Sequence, residues 1–309
     1  MSRSAGDRKM TIGPLLRKLV RPSPFKIGLL VVLAAALLYR SFGPTKPLLL
    51  TTLDNRVTDA MFRWRGPQPT SGQVVIVDID EKSLRVLGQW PWPRDLVARL
   101  IRIIGSSSPK VIGLDIVFAE PDRTSPTRLL PALANRLGID IPPEATESLD
   151  HDQILGAAFA QTPSVLGYVF QLADDGLKRS EDLPFPSALI RLSPPGHRYQ
   201  ELDLIRAYRA IVNIPVVAQG MSEGFFNVFP DPAGTVRKVP LVMAMDGVPY
   251  PSLALEMARI GMGEEAVTLH VSEGVESARR GLLGVSLGNR FIPTDDRGQI
   301  TVNFRGPAY

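Results

Sequence analysis

The chain has 309 residues, of which 44% are hydrophobic and 21% charged, with no cysteine and three histidines. This is too apolar for a disordered tail and long enough for one large domain or two small ones, and the lack of cysteine excludes disulfides, thiolate metal sites and a cysteine nucleophile. The net charge of +4 is uneven: residues 1–26 carry seven basic residues (Arg3, Arg8, Lys9, Arg17, Lys18, Arg21, Lys26) against Asp7, leaving 28 basic and 30 acidic residues in the remainder. Such a balance argues against a uniformly basic nucleic-acid-binding face.

In chain order, the basic tail is followed by an uncharged run from Ile27 to Tyr39, thirteen residues, closed by Arg40. Thirteen is short against the roughly 20 of a membrane span. Phe25 and Lys26 extend it on one side; on the other, Arg40 can snorkel and Ser41 to Leu50 is mostly uncharged. A signal-peptide core and a buried soluble helix are the alternatives to an anchor. The absence of a clear small-residue cleavage site favours the anchor over the signal peptide. The expected organisation is a cytoplasmic tail over 1–25, a transmembrane anchor over 26–45 and an extracytoplasmic domain over 46–309, oriented by the positive-inside rule.

Leu49, Leu53, Val57, Met61 and Phe62 recur near a helical period, so 48–63 reads as an amphipathic helix ended by Arg65-Gly66-Pro67. The β-branched run VVIVDID (74–80) reads as a buried strand. Trp90-Pro-Trp-Pro-Arg94 is a rigid turn, and Asp95 can cap a helix to about Ile104 with Leu96, Val97, Leu100, Ile101 and Ile104 on one face. VIGLDIVF (111–118) reads as a second buried strand, which makes 74–118 a βαβ unit with parallel strands. Residues 119–150 are a proline-rich excursion. A short helix over 153–161 and a strand over 164–171 follow, then an irregular stretch over 172–210. FFNVF (225–229) and VRKVPLVMAM (236–245), joined by Asp231-Pro-Ala-Gly234, read as a hairpin. A helix is expected from Pro251 to Arg259, and 291–304 reads as strand, turn and strand around Asp295, Asp296 and Gly298. The fold class expected from these elements is α/β, a mixed central sheet flanked by helices and preceded by one transmembrane helix.

Several polar residues follow the two expected strands. Asp78, Asp80 and Glu81, with Asp115, Glu120 and Asp122, would converge where the carboxyl ends of parallel strands line a crevice. Clustered carboxylates can bind a divalent ion or act as acid and base. Trp90 and Trp92 could stack on a ligand, Arg94 could hold an anion, and Asn227, Asp231 and Arg237 could line a pocket. Each has a structural alternative: a helix cap or ion pair for the acids and Arg94, a lid on the sheet for the tryptophans, turn and strand roles for Asn227 and Arg237. Asp78-Ile-Asp80 also has the spacing of a haloacid-dehalogenase-like nucleophile, but it continues Glu81-Lys82-Ser83 where glycine and threonine are expected. No dinucleotide, Walker, serine-hydrolase or zinc-protease motif stands in the right context, and no cofactor is indicated.

Several stretches, in order, resemble the second type of CHASE domain, an extracytoplasmic sensor of bacterial cyclases and kinases. They are DNRVTDAMFRWRGP (54–67), VVIVDIDEKSL (74–84) with QWPWPR (89–94), KVIGLDIVFAEPDR (110–123), ILGAAFAQTPSVLGYVF (154–170), FNVFPDPAGTVRKVPLV (226–242) with YPSLALEMAR (250–259), and ITVNFRGP (300–307). The likeness covers roughly 48–307. It implies one membrane helix before the sensor, several after it, and a cytoplasmic output such as a class III nucleotide cyclase, a histidine kinase or a Ser/Thr kinase. The family's sensor usually continues past the Asn-Phe-Arg-Gly-Pro block, so a chain stopping at Tyr309 is expected to be a fragment, with an output enzyme and a sheet strand beyond it. The resemblance carries over no ligand residue. The expected partners are the lipid bilayer of the inner membrane, a small-molecule or ion ligand, and a second copy in a homodimer, with no nucleic acid. A tethered carboxylate-metal hydrolase and a structural envelope domain are the competing readings.

Overall fold

The computed structural model describes residues 23–41, 48–138, 140, 142, 146, 148–176, 183–185, 188–272 and 280–306. The basic tail, the end of the expected anchor over 42–45 and the last three residues lie outside them. The chain divides into two compact units, one of residues 1–70 with 304–309 and one of 71–303.

In the first unit, α1 runs Pro24–Ser41 and α2 runs Leu48–Arg65. Helix α1 includes residues 26–41 of the expected anchor, and its large apolar side chains from Phe25 to Leu38 stand 49–79% exposed. Among the described residues no helix is long and apolar enough to cross a membrane. On α2 the apolar side chains Leu53, Val57 and Met61 are also exposed. The helix ends where Gly66 takes a positive φ of 72° and its N–H caps the Phe62 carbonyl, as a glycine beyond a helix end does. Just past that end the chain is tied to its own C-terminal segment. The Arg65 guanidinium donates to the Phe304 carbonyl, the Gln68 N–H to the Arg305 carbonyl at 2.7 Å, and Arg305 back to the Pro69 carbonyl at 2.7 Å.

The second unit corrects the expectation of a single central sheet: among the described residues its strands fall into four sheets. The first holds β1 (Ile112–Leu114), β2 (Ser164–Gln171), β5 (Arg209–Ile211) and β6 (Ser222–Phe225). β1 and β6 flank β2 in parallel, and β5 pairs antiparallel with its far end. The second sheet has the order β12 (Arg290–Pro293), β11 (Leu282–Leu287), β10 (Ala266–Val271), β3 (Leu189–Ser193). Its alternation is plain in β10, where Val267, Leu269 and Val271 point inward and Ala266, Thr268 and His270 do not, as period-two patterning requires. Two small ladders complete the unit: β4 (Arg206–Ala207) with β8 (Val242–Met245) and β9 (Val248–Pro251), and β7 (Lys238–Pro240) with β13 (Gln299–Thr301).

Helices α4 (Arg94–Gly105), α6 (His151–Phe159) and the short α7 (Pro215–Ala218) cover one face of the first sheet. Val97, Ala98 and Ile101 pack with Leu155, Ala158, Phe159, Val217 and the inward Ile112, Leu114 and Leu166. Helix α8 (Leu253–Met262) lies on the opposite face, close enough that a Cβ on Gly224 would meet the Leu253 Cα at 2.6 Å. A second buried cluster lies between β10, β11 and β8. A third is aromatic, with Tyr168, Phe170, Phe225 and Tyr250 in tilted and edge contacts.

Five local expectations are corrected. VVIVDID forms no strand: residues 74–80 belong to no helix or ladder, so the βαβ unit is absent, and 112–114 pairs in parallel with β2 instead. Asp95 does not cap α4; it sits in the first turn after Pro93, which has no side-chain bond to offer. The stretches 225–229 and 236–245 do not pair with each other. β6 joins β2, β7 joins β13, and the tight hairpin is β8–β9, turned by Asp246-Gly247, both at positive φ. Pro251 closes β9, and α8 begins two residues on with Ser252 as its cap. The proline-rich excursion contains a helix, α5 (Pro126–Leu137), with Pro at its start and again at Pro131. Helix α3 (Glu81–Leu87) follows the exposed run.

Candidate functional site: a buried acid, arginine and histidine hub

The chain leaving β1 passes Phe118 and turns at Asp122, against the first turns of α4 and α6. Because Pro93 cannot cap α4, the Asp122 carboxylate does so from 28 residues away, accepting the Arg94 N–H at 2.8 Å. Its other oxygen accepts the Thr124 N–H at 2.8 Å and the Thr124 hydroxyl at 2.7 Å. A carboxylate at an exposed helix N-terminus is favourable by charge as well as by hydrogen bond.

Helix α6 contributes the other half. Asp150 caps it through the Asp152 and Gln153 N–H groups, which brings His151 and Asp152 to the same place. His151 Nδ1 lies 3.1 Å from Asp122 Oδ2 and 3.6 Å from Asp95 Oδ1. The Asp122 N–H donates to Asp152 Oδ2 at 2.9 Å. Asp152 Oδ1 faces Arg94 Nε at 3.6 Å, an ion pair beyond hydrogen-bond length. These two side chains are 6% and 13% exposed. The guanidinium sits over the Phe118 ring at 4.4 Å and donates to the Glu120 carbonyl at 3.2 Å.

The two neighbouring carboxyls are pushed in opposite directions. Burial drives Asp152 up, against the Asp122 N–H and Arg94 that favour its charge. Burial also acts on Asp122, but the hydrogen bonds from Arg94, Thr124 and His151 outweigh it and leave its carboxyl below the usual aspartate value. Environments that separate two carboxyls in this way mark sites able to change charge or take a polar ligand.

Behind the hub lies a second buried network. Asn213 accepts the Phe118 N–H at 2.8 Å and donates to the Gly167 carbonyl at 3.0 Å and to Glu223 at 2.8 Å. Glu223 also accepts the Phe185 N–H at 2.8 Å. On the α8 face, Arg259 makes a two-pronged contact with fully buried Glu256, which also accepts the Ser222 hydroxyl.

Of the residues singled out in the sequence, the hub contains Arg94, Asp122 and, through its carbonyl alone, Glu120; the Glu120 carboxylate pairs with exposed Arg123. The others have different surroundings. Asp78 and Asp115 are exposed. Asp80 caps α3 through the Ser83 N–H and hydroxyl, which hold its carboxyl low. Trp92 is buried and donates to the Gly88 carbonyl at 2.8 Å, with the more exposed Trp90 edge-on at 5.9 Å. Asn227 clamps the Phe170 backbone from both sides, and Arg237 pairs with Asp231 in its turn. His151 and Asp152 are functional candidates that strand-end reasoning passed over. Their signal is the Asp150-His-Asp152 triplet opening a helix. Among the described residues no group of three or more His, Asp and Glu could hold a metal ion.

The CHASE2 domain family matches residues 29–309. No curated protein and no solved structure matches the chain.

Proposed function

The chain belongs to the CHASE2 domain family, an extracytoplasmic sensory domain, and on that premise we propose that it is the input module of a membrane-bound signalling protein. Its output is a cytoplasmic class III adenylate or guanylate cyclase, or a kinase, and it works as a homodimer in the inner membrane with its basic tail inside. The observation that carries the membrane part is α1, whose apolar side chains lack cover along the helix, behind a tail of seven basic residues. An uncovered apolar helix favours lipid, and the basic flank sets its direction.

The ligand is a small polar molecule or ion, taken up at the hub between β1, α4 and α6. The support is chemical: an arginine and an aspartate, nearly buried and incompletely bonded, stand beside a histidine. A ligand that binds more tightly when the hub is rearranged shifts the chain toward that arrangement by its differential affinity alone. The 66–73 segment carries the change to α2 along the backbone.

Two measurements test this. Alkaline phosphatase, active only outside the cytoplasm, is fused after Thr70 and after Ser23; activity at the first position and silence at the second is expected, and the reverse refutes the topology. In the protein joined to its output domain, Arg94→Gln is expected to shift the response at unchanged expression and folding. An unchanged response refutes the hub as the ligand site.

A further inference from the structure

Val74, Val75, Ile76 and Val77 form a run outside any helix, with no strand partner among the described residues, and they stand 55–87% exposed. Four adjacent β-branched residues have the composition of a strand, and left in water they form a surface that seeks a partner. The run extends from a fixed base. Ile79 packs against the buried cluster that includes Ile112 and Leu114, and Asp80 is held as the cap of α3.

The same unit carries an open sheet edge. β1 pairs with β2 and with no other strand among the described residues, and Asp115 just beyond it is exposed. Neither Ile112-Gly-Leu114 nor Val74–Val77 contains the charged residue or proline that shields an edge from other chains. The chain's own run does not occupy its own edge.

We propose that the Val74–Val77 run of one copy adds as an edge strand to β1 of a second copy, and that the exchange is reciprocal. Each copy supplies one run and one edge, so the assembly closes at two. Main-chain hydrogen bonds provide the attraction, and alternate side chains fall on the two faces of the sheet. The pairing stands independently of the sensory reading. Should both hold, the shared strand follows α2 in the chain through residues 66–73.

The absence of native cysteine makes the test direct. Full-length Ile76→Cys and Asp115→Cys proteins, carrying different tags, are mixed in detergent micelles and oxidised. The expected result is a disulfide-linked species bearing both tags, several-fold more abundant than with Arg297→Cys, an exposed control, in place of Asp115→Cys. A yield no higher than the control, or a bond formed within single chains of the Ile76→Cys/Asp115→Cys double variant at high dilution, overturns the proposal. Hydrogen exchange on the unsubstituted chain supplies a check free of substitutions: the amides of 74–77 are expected to slow as protein concentration rises, and rates independent of concentration overturn it as well.

Discussion

Replacing Asp122 by alanine removes the acceptor that substitutes for the missing cap of α4. Three N–H or O–H donors from Arg94 and Thr124 lose their partner, along with the contact to His151. A hydrogen bond to a charged group contributes about 1.5–3 kcal/mol. Counting the two backbone donors, the loss is about 3–6 kcal/mol, and entry of water around the 119–125 turn brings it to the lower end, about 3 kcal/mol. Asp122→Asn keeps an acceptor for one of them and is expected to cost about 1–2 kcal/mol. The sign of the pH dependence follows from the lowered carboxyl. A folded-state value below 3.8 means that the ionised group stabilises fully above the unfolded value, and that this is lost as pH falls through the folded value. The gap between the wild type and Asp122→Asn is therefore expected to be full at pH 7 and to close on acidification below 3.8. Urea unfolding of the full chain in detergent, followed by the emission of Trp92 (5% exposed, against 92% for Trp64), measures both. An Asp122→Ala protein within about 0.5 kcal/mol of the wild type at neutral pH, the size of an ordinary surface change, would refute the capping role. A gap that persists in acid would refute the charge assignment.

Asn213→Ala breaks three buried hydrogen bonds, so a loss of about 2–4 kcal/mol is expected, with faster exchange of the Phe118 amide; unchanged protection there would contradict the network. Gly156→Ala places a Cβ 2.5 Å from the Val216 carbonyl oxygen, a backbone atom. Its gain in helix propensity of about 1 kcal/mol is expected to be outweighed by about 1–3 kcal/mol of overpacking, so a stabilised variant in urea would show that α6 and α7 are not packed this closely. Arg94→Met leaves Asp152, already pushed up by burial, without its cation, at about 3 kcal/mol. Because the carboxyl of that variant is raised, its stability is expected to recover as pH falls. Adding Asp152→Leu is expected to recover part of the loss, giving a coupling of about 1–3 kcal/mol in a double-mutant cycle; strict additivity would dissociate the pair.

Local patterns carried part of the fold. The strand at 164–171 and the helix ended by Arg65-Gly66-Pro67 could be read from runs and breakers, because the residues that decide them are adjacent in the chain. The apolar stripe of α4 was legible for the same reason, while its start was not: the group that caps it stands 28 residues downstream. The run 74–80 and the stretch 236–245 were decided elsewhere. Both have strand composition, but strand pairing depends on which edge is free, and that is set by distant segments. In the same way 299–301 pairs with 238–240 and not with the strand preceding it.

The candidate site divides along the same line. Arg94 was marked by its own chemistry, and the family by the order of its blocks along the chain. That Arg94 meets Asp152 rather than the acids of 78–80, and that Asp122 rather than Glu120 turns its carboxylate inward, was decided only when β1, α4 and α6 packed together. Composition and short-range spacing determine whether a segment is an anchor-like helix, a strand former or a turn, since those choices rest on bonds within a few residues. Which carboxylate is desolvated, which helix end it caps and which sheet edge stays open depend on contacts between segments far apart in sequence, and these exist only in the folded chain.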